Sequence, residues 1–348
     1  MRSMLDEPRA FRIQPARLSV RFTPRAVLAV VAMIVVGTVV GVWTLSTGRA
    51  GIPASEVIEA LLGGGSDRNR MIVVDWRLPR LLLAVLLGGA LGVSGAVFQS
   101  LSRNPLGSPD IIGFTTGAAT GALFVILVRS GSGTDVAVGA VIGGFVSAVL
   151  VYALAYRRGL ATYRLVLVGV ALSAMFVSVN EWLILQAELD DAAMAHVWQL
   201  GNLNSLGWTE VHIVSITLAV LVPAAIWLNR PMQMMEMGDD TARSLGIPVE
   251  RMRIGLILVG IGLVAVATAI AGPIAFVALA APQLAHRLTR TPGLSVGPAA
   301  AMGAVLLVVS DAVAQRFTET QMPVGVITVS IGGIYLVWLL FSEKRRST

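Results

Sequence analysis

The chain has 348 residues, of which 55% are hydrophobic and only 13% charged. A soluble domain carries about 25% charged residues, and several apolar runs here exceed the roughly 20 residues that cross a bilayer core, so a soluble enzyme or binding module is excluded. Cysteine is absent, which rules out disulfides, thiolate chemistry and Cys-ligated clusters. The net charge of +6 rests almost wholly on arginine, because Lys344 is the one lysine; in so apolar a chain this reads as membrane topology and not as nucleic-acid binding.

In chain order, residues 1–25 form a polar, Arg-rich tail. The apolar run at 26–45 follows; it is too long for a signal-peptide core and reads as a retained first helix. Nine further candidate spans lie at 81–101, 111–128, 136–156, 165–186, 211–228, 254–271, 274–285, 296–314 and 324–341. Lipid cannot satisfy an open backbone, so all should be helices. The expectation is an all-α polytopic membrane protein of about ten transmembrane helices. One transmembrane domain then covers 26–341, with a tail at 342–348. The run at 274–285 is too short to span alone. Gly272–Pro273 before it and Pro282 within it mark a broken segment of the kind that lines a pathway. Glycines four apart, Gly88/Gly92, Gly117/Gly121 and Gly139/Gly143, predict close helix packing.

Placing the N-terminus in the cytoplasm puts 19 basic residues in inside segments and 7 in outside ones. The positive-inside bias therefore predicts both termini inside. Arg77, Arg80 and Arg316 then sit where spans enter from outside. They are either snorkelling interfacial residues or a docking surface for an acidic partner.

Between the sixth and seventh spans lies the short polar stretch Asp239, Asp240, Thr241, Ala242, Arg243, Ser244, Leu245, Gly246. Gly238 can end the preceding turn, Asp239 or Asp240 can cap a new helix, Gly246 can close it, and Pro248 blocks its continuation. A capped polar helix outside the lipid predicts a docking element. A P-loop needs a lysine after its Gly-rich turn. The chain has none there, so any energy from ATP must come from another subunit.

The motifs Arg77–Leu78–Pro79–Arg80, Leu91–Gly92–Val93–Ser94–Gly95–Ala96–Val97–Phe98–Gln99 and Arg103–Asn104–Pro105–Leu106–Gly107–Ser108–Pro109 are followed by Gly272–Pro273–Ile274–Ala275–Phe276–Val277–Ala278–Leu279, Ala281–Pro282–Gln283 and Pro323–Val324–Gly325–Val326–Ile327–Thr328. In this order they resemble the FecCD/BtuC-type permeases, the membrane subunits of ABC importers for iron-siderophores, haem and vitamin B12. The likeness runs from about Arg77 to Phe341 and implies the type II ABC importer permease fold. Gln283 stands where many members have histidine. With Arg103–Asn104–Pro105–Leu106–Gly107–Ser108–Pro109–Asp110, this looks like the ferric-enterobactin branch of the family.

The resemblance implies a bacterial inner-membrane importer with several partners. These are an ABC ATPase dimer that binds the ATP and Mg²⁺, a sister permease, a periplasmic or surface-tethered binding protein, and a ferric siderophore as cargo; no cofactor is expected in this chain. It places coupling helices at about 238–253 against the ATPase. Arg77 and Arg80 match the binding-protein contacts by motif, and Arg316 approximately. Thr162 and Tyr163 fall at the family's cytoplasmic gate. The family has small hydroxyl residues there, and Tyr163 equally suits an interfacial aromatic. Asn180 and Glu181 fall on the span that lines the pathway. Asp311 reads as a structural partner or cap, with Arg316 one candidate for the pairing. His196, His212 and His286 make no metal cluster.

Two rivals remain. An ion-coupled secondary transporter would place essential carboxylates near the bilayer centre, whereas Glu181 and Asp311 fall toward span ends. An intramembrane enzyme would need a paired-Asp, Gly-x-Ser-x-Gly or His-Glu-x-x-His motif, and none occurs. Within the favoured class, hydroxamate siderophores, haem and B12 are the alternative cargoes.

Overall fold

In the computed structural model, which describes residues 9–13, 18–47, 51–131, 133–156, 162–291, 293–316 and 322–344, helix α1 spans Pro24–Ser46. Thr23 caps it by accepting from the Ala26 amide, and Pro24 pre-sets the first turn. Its mean hydropathy is 2.6, yet only 17% of it is buried. Only lipid stabilises so apolar and so uncovered a helix.

Two short helices follow, α2 (Ala54–Leu61) and α3 (Asp67–Arg70). The chain then passes through a π-helical stretch, Met71–Arg77, into α4 (Leu78–Ser102). Pro79 explains the wide turn. Its ring crowds the carbonyl four residues back and it offers no amide. The helix absorbs this one turn earlier, where the Leu78 amide reaches the Val73 carbonyl.

The remaining helices are α5 (Phe114–Arg129), α6 (Thr134–Ala155), α7 (Thr162–Leu185), α8 (Leu189–Gln199), α9 (Trp208–Glu236), α10 (Asp239–Ser244), α11 (Val249–Ala271), α12 (Val277–Thr289), α13 (Val296–Ala314) and α14 (Val324–Lys344). All ten candidate spans map onto separate helices: α1, α4–α7, α9 and α11–α14. Among the described residues, seven helical segments are long and apolar enough to cross a membrane, while α5 and the apolar part of α14 are shorter. With 13 residues, α12 reaches only about 20 Å. The protein is thus an α-helical integral membrane protein with roughly ten embedded helices.

Helices α4 and α11 form the centre, each 72% buried, while α7 and α9 are 28% buried and face outward. Phe98, Leu83, Leu87 and Leu91 of α4 and Leu263 of α11 are fully covered. The glycine pairs behave as the spacing predicts. A Cβ on Gly92 would lie 2.2 Å from the Ala299 carbonyl, and one on Gly303 would lie 2.1 Å from that of Gly88, so α4 and α13 meet backbone to backbone. Gly117 and Gly121 do the same against Gly143 and Gly139 between α5 and α6.

The break before α12 is filled by backbone from elsewhere. Gly272 and Phe276 both have positive φ. The Ala271 carbonyl accepts from the Asn202 amide at 2.6 Å, and the Gly201 carbonyl accepts from Gly325 at 3.2 Å. Irregular backbone at membrane depth is tolerated where protein satisfies it in this way.

In the N-terminal tail, β1 (Arg9–Ile13) and β2 (Leu18–Phe22) pair antiparallel. The tail at 342–348 falls largely outside the described residues, although α14 continues to Lys344.

Candidate functional site

Two polar surfaces lie at opposite ends of α4. Its 25 residues span about 38 Å, more than the hydrocarbon core of about 30 Å. Each surface therefore lies on its own side of the membrane.

At the C-terminal end of α4 is α10. Gly238, at φ 114°, is its N-cap, and no side chain caps it. Asp239 and Asp240 are its first two residues, where carboxylates favour the exposed amides. This corrects the expectation that an aspartate caps the helix: the left-handed turn needed to leave α9 demands glycine at the cap itself. Gly246 closes α10, with its amide on Arg243 and the Ile247 amide on Ala242. Pro248 caps α11, so the expected second short helix is the first turn of α11.

Asp239 holds α10 in place. It accepts from Arg253 of α11 at 2.7 Å and from Arg103, the left-handed residue that ends α4. Arg103 also donates to the Met235 carbonyl at the end of α9 at 3.0 Å. Arg253 is buried and donates to Glu250 as well, at 3.1 Å. One carboxylate thus ties the ends of three helices. Partial burial raises the Asp239 pKa, but the hydrogen bond and charge of Arg253, together with Arg103, outweigh it and hold the carboxyl below the usual range.

With Asp239 and Ala242 turned inward, the outer face of α10 presents Asp240, Thr241, Arg243, Ser244 and Leu245. Leu245 is 56% exposed and Met237, which ends α9, is 69% exposed. Asp240 and Arg243 pair with each other at 2.9 Å on that face.

At the other end of α4, Arg77, Arg80 and Arg316 come together, each with a partner inside the protein. Arg80 makes a two-pronged bond to Asp311 of α13, with its Nε 3.1 Å from both oxygens and its Nη2 2.7 Å from Oδ1. Gln315 adds a further bond to Asp311 at 2.6 Å. The pairing of Asp311 with Arg80 replaces the Arg316 pairing that the sequence suggests. Arg316 instead donates to the Ala312 carbonyl at 2.7 Å and to the Thr47 hydroxyl, and stacks 3.7 Å over Trp43 of α1. Arg77 donates to the Leu45 carbonyl at 2.6 Å. The Arg80 side chain is 12% exposed.

Over residues 27–342 the sequence matches the FecCD transport family. The chain belongs to the FecCD family. Among its relatives is the ferric enterobactin transport system permease protein FepG of Escherichia coli strain K12, 47% identical over 309 residues, 88% of this chain and 94% of the relative. The achromobactin transport system permease protein CbrC of Dickeya dadantii is 33% identical over 86% of this chain and 87% of its own length. A metal-chelate type ABC transporter solved in an inward-facing conformation superposes with a TM-score of 0.81, covering 90% of this chain and 98% of that one, at 23% identity. That likeness concerns the fold.

In this FecCD permease, Gln283 of α12 donates to Gln99 of α4 at 2.7 Å, and Gln99 donates back to the Leu279 carbonyl at 2.8 Å. The glutamine that departs from histidine therefore forms an amide bridge between two central helices. Tyr163 is 72% exposed at the start of α7, and Thr162 is the first residue of that helix. Asn180 is buried with an unpaired Oδ1, while its neighbour Glu181 is exposed; the two share a helix but not a face. His286 lies beside Glu236, not beside another histidine, and no group of three metal-ligating side chains occurs among the described residues.

Sequence reasoning missed Arg103 and Arg253 as the clamps on Asp239. A signal existed for each: Arg103 opens the Asn-Pro-Leu-Gly loop, and Glu250 lies three residues before Arg253 on a helix.

Proposed function

We propose that this chain is the membrane permease subunit of an ABC importer that moves a ferric siderophore, ferric enterobactin or a similar catecholate, into the cytoplasm. A separate ATPase dimer binds ATP and Mg²⁺ and supplies the energy. A binding protein delivers the cargo at the opposite face, and a sister permease completes the pathway. The chain sits in the inner membrane with both termini cytoplasmic, as the 19-to-7 distribution of basic residues favours.

The observation that carries this reading is α10, a short helix locked by Asp239 that shows Leu245 and Met237 at the arginine-richer end of the bundle. An apolar knob ringed by small polar residues on a rigid base suits insertion into a cleft of a partner protein. The identity of 47% to an enterobactin permease supports the cargo, and the achromobactin relative at 33% marks the neighbouring alternatives. At the other end, Arg77, Arg80 and Arg316 each keep part of their surface open and are the arginines proposed to serve a binding protein, Arg80 while paired with Asp311. Thr162 and Tyr163 are the proposed gate residues, and Asn180 and Glu181 the proposed pathway residues.

The natural chain lacks cysteine, so a single Leu245→Cys change gives a unique cross-linking site. With a short bifunctional maleimide it should capture the ATPase, and a cysteine at exposed Ile216 should not. Equal capture from both positions would defeat the docking assignment.

A further inference from the structure

The connection between α4 and α5, residues 103–113, turns back into the bundle. Arg103 starts it at the end of α4, where its guanidinium meets Asp239. By Gly113 the chain has reached the middle of the membrane. The Gly113 carbonyl accepts from the Ser147 hydroxyl of α6 at 2.8 Å, and a Cβ on Gly113 would lie 3.1 Å from the Gly169 carbonyl of α7. Ser147 lies about 12 Å from one end of α6 and about 20 Å from the other. Consecutive turns stiffen the connection into a strut. The Gly107 amide donates to the Asn104 carbonyl and the Leu106 amide to the Asn104 side chain, both at 2.9 Å; the Ile112 and Phe114 amides reach the Ser108 and Pro109 carbonyls at 3.2 Å.

A second irregular segment arrives at the same depth. From Val277, α12 runs about 20 Å to the end that carries Arg287 and Arg290. Phe276, just before it, holds a φ of 68°, which side chains other than glycine rarely adopt. Its ring rests on Gly332 of α14, where a Cβ would come within 2.3 Å of it. Behind Phe276, the Pro273 carbonyl lies 2.5 Å from where a Cβ on Gly201 would stand, and Gly201 follows the end of α8.

Asp110 stands where the two segments meet. Its carboxyl accepts from the Thr115 hydroxyl in the first turn of α5 at 2.7 Å and interacts with the Phe276 amide at the start of α12. Two helix N-termini, each with amides that lack an intrahelical partner, thus share one side chain.

We propose that Asp110 is a positioning residue for transport. As a hydrogen-bond acceptor it joins the 103–113 strut to the start of α12, so that movement of α10, passed through Asp239 and Arg103, reaches α8 at the opposite end of the bundle. The proposal rests on α10 as the element that docks the ATPase. A carboxylate at this depth could instead carry a proton or an ion. Asparagine separates the two roles, because it keeps an acceptor oxygen and does not titrate.

The test uses proteoliposomes holding this chain, its sister permease and the ATPase, with binding protein and radiolabelled ferric enterobactin outside. Uptake and ATP hydrolysis are read on the same sample. Asp110→Ala leaves the Thr115 hydroxyl and the Phe276 amide without their acceptor, so cargo moved per ATP hydrolysed falls about tenfold. ATPase co-purification and hydrolysis stay near the unsubstituted level. Asp110→Asn keeps most of the uptake ratio. An environment-sensitive fluorophore on Leu189→Cys, 85% exposed at the start of α8, reads transmission without cargo. Its ATP-dependent change in emission is lost with Asp110→Ala and kept with Asp110→Asn. An unchanged uptake ratio and an unchanged Leu189 signal in Asp110→Ala would overturn the proposal. So would equal loss in Asp110→Asn, because a charge or a proton would then be what matters. If Asp110→Ala does not assemble, Thr115→Val removes one donor alone and should still lower the ratio; no change there overturns the proposal. Failure of the unsubstituted complex to hold the ATPase would overturn the docking role of α10, and this joint with it.

Discussion

Asp311→Ala should cost more stability than any other single change at the Arg77 end of the bundle. The side chains of Arg80 and Asp311 are 12% and 4% exposed and share three close contacts, while Gln315 occupies the remaining side of the carboxylate. Removing the carboxylate takes from a largely covered guanidinium its three close contacts with Asp311. Breaking a buried pair costs about 3–5 kcal/mol. The site lies near the membrane surface, where water relieves part of this, so we expect about 3 kcal/mol, a factor of roughly 100 in the folding equilibrium. Replacing both partners, Arg80→Met with Asp311→Leu, should recover most of the loss, because the apolar pair carries no stranded charge. Unfolding of the purified chain in mixed micelles, run as a double-mutant cycle, measures the coupling directly. If each single change costs less than about 1 kcal/mol, as for an exposed pair, and Arg80→Glu affects only capture of a binding protein, the structural assignment of Arg80 is refuted.

Leu245→Asp should abolish ATPase co-purification and uptake while leaving membrane insertion and yield unchanged, as read by affinity pull-down against total chain. Asp239→Asn should raise hydrogen exchange across α10 and reduce uptake, because Arg103 and Arg253 lose their shared charge; Glu250→Gln, at a side chain 47% exposed, should do little. The depressed pKa of Asp239 sets the pH response. Its contribution is fully present above the ordinary carboxylate value of about 4 and is lost as pH falls through the lower folded value. The protection factor at α10, the exchange rate corrected for the intrinsic rate at each pH, should therefore be flat from about pH 8 to 5 and fall only in stronger acid. Gly303→Leu should force α4 and α13 apart and cost at least about 2 kcal/mol, seen as lost monodisperse protein. Gly297→Ala, with nothing within 4 Å of its new Cβ, should be silent.

The ten embedded helices were legible because membrane spans are set by apolar length, a local property of sequence. The glycine approaches were legible too, since four-residue spacing puts both glycines on one face. Short elements were not: α2, α3 and α8 have 8, 4 and 11 residues and lie in connections, too short to stand out by length. Ion pairs were the least accessible. Asp239 was singled out, but Arg103 lies 136 residues away, and Arg80 and Asp311 are 231 apart. Charge counting places such residues on a side of the membrane and says nothing of which carboxylate a guanidinium meets. The cap of α10 was misread because a left-handed exit from α9 outranks the ordinary preference for an aspartate cap.

The most direct measurement is uptake of radiolabelled ferric enterobactin into proteoliposomes holding this chain, its sister permease and the ATPase, with binding protein on the outside and ATP within. The account predicts accumulation that requires ATP hydrolysis, survives collapse of the proton and sodium gradients, and disappears with Leu245→Asp. Accumulation driven by an ion gradient in the absence of the ATPase would contradict it.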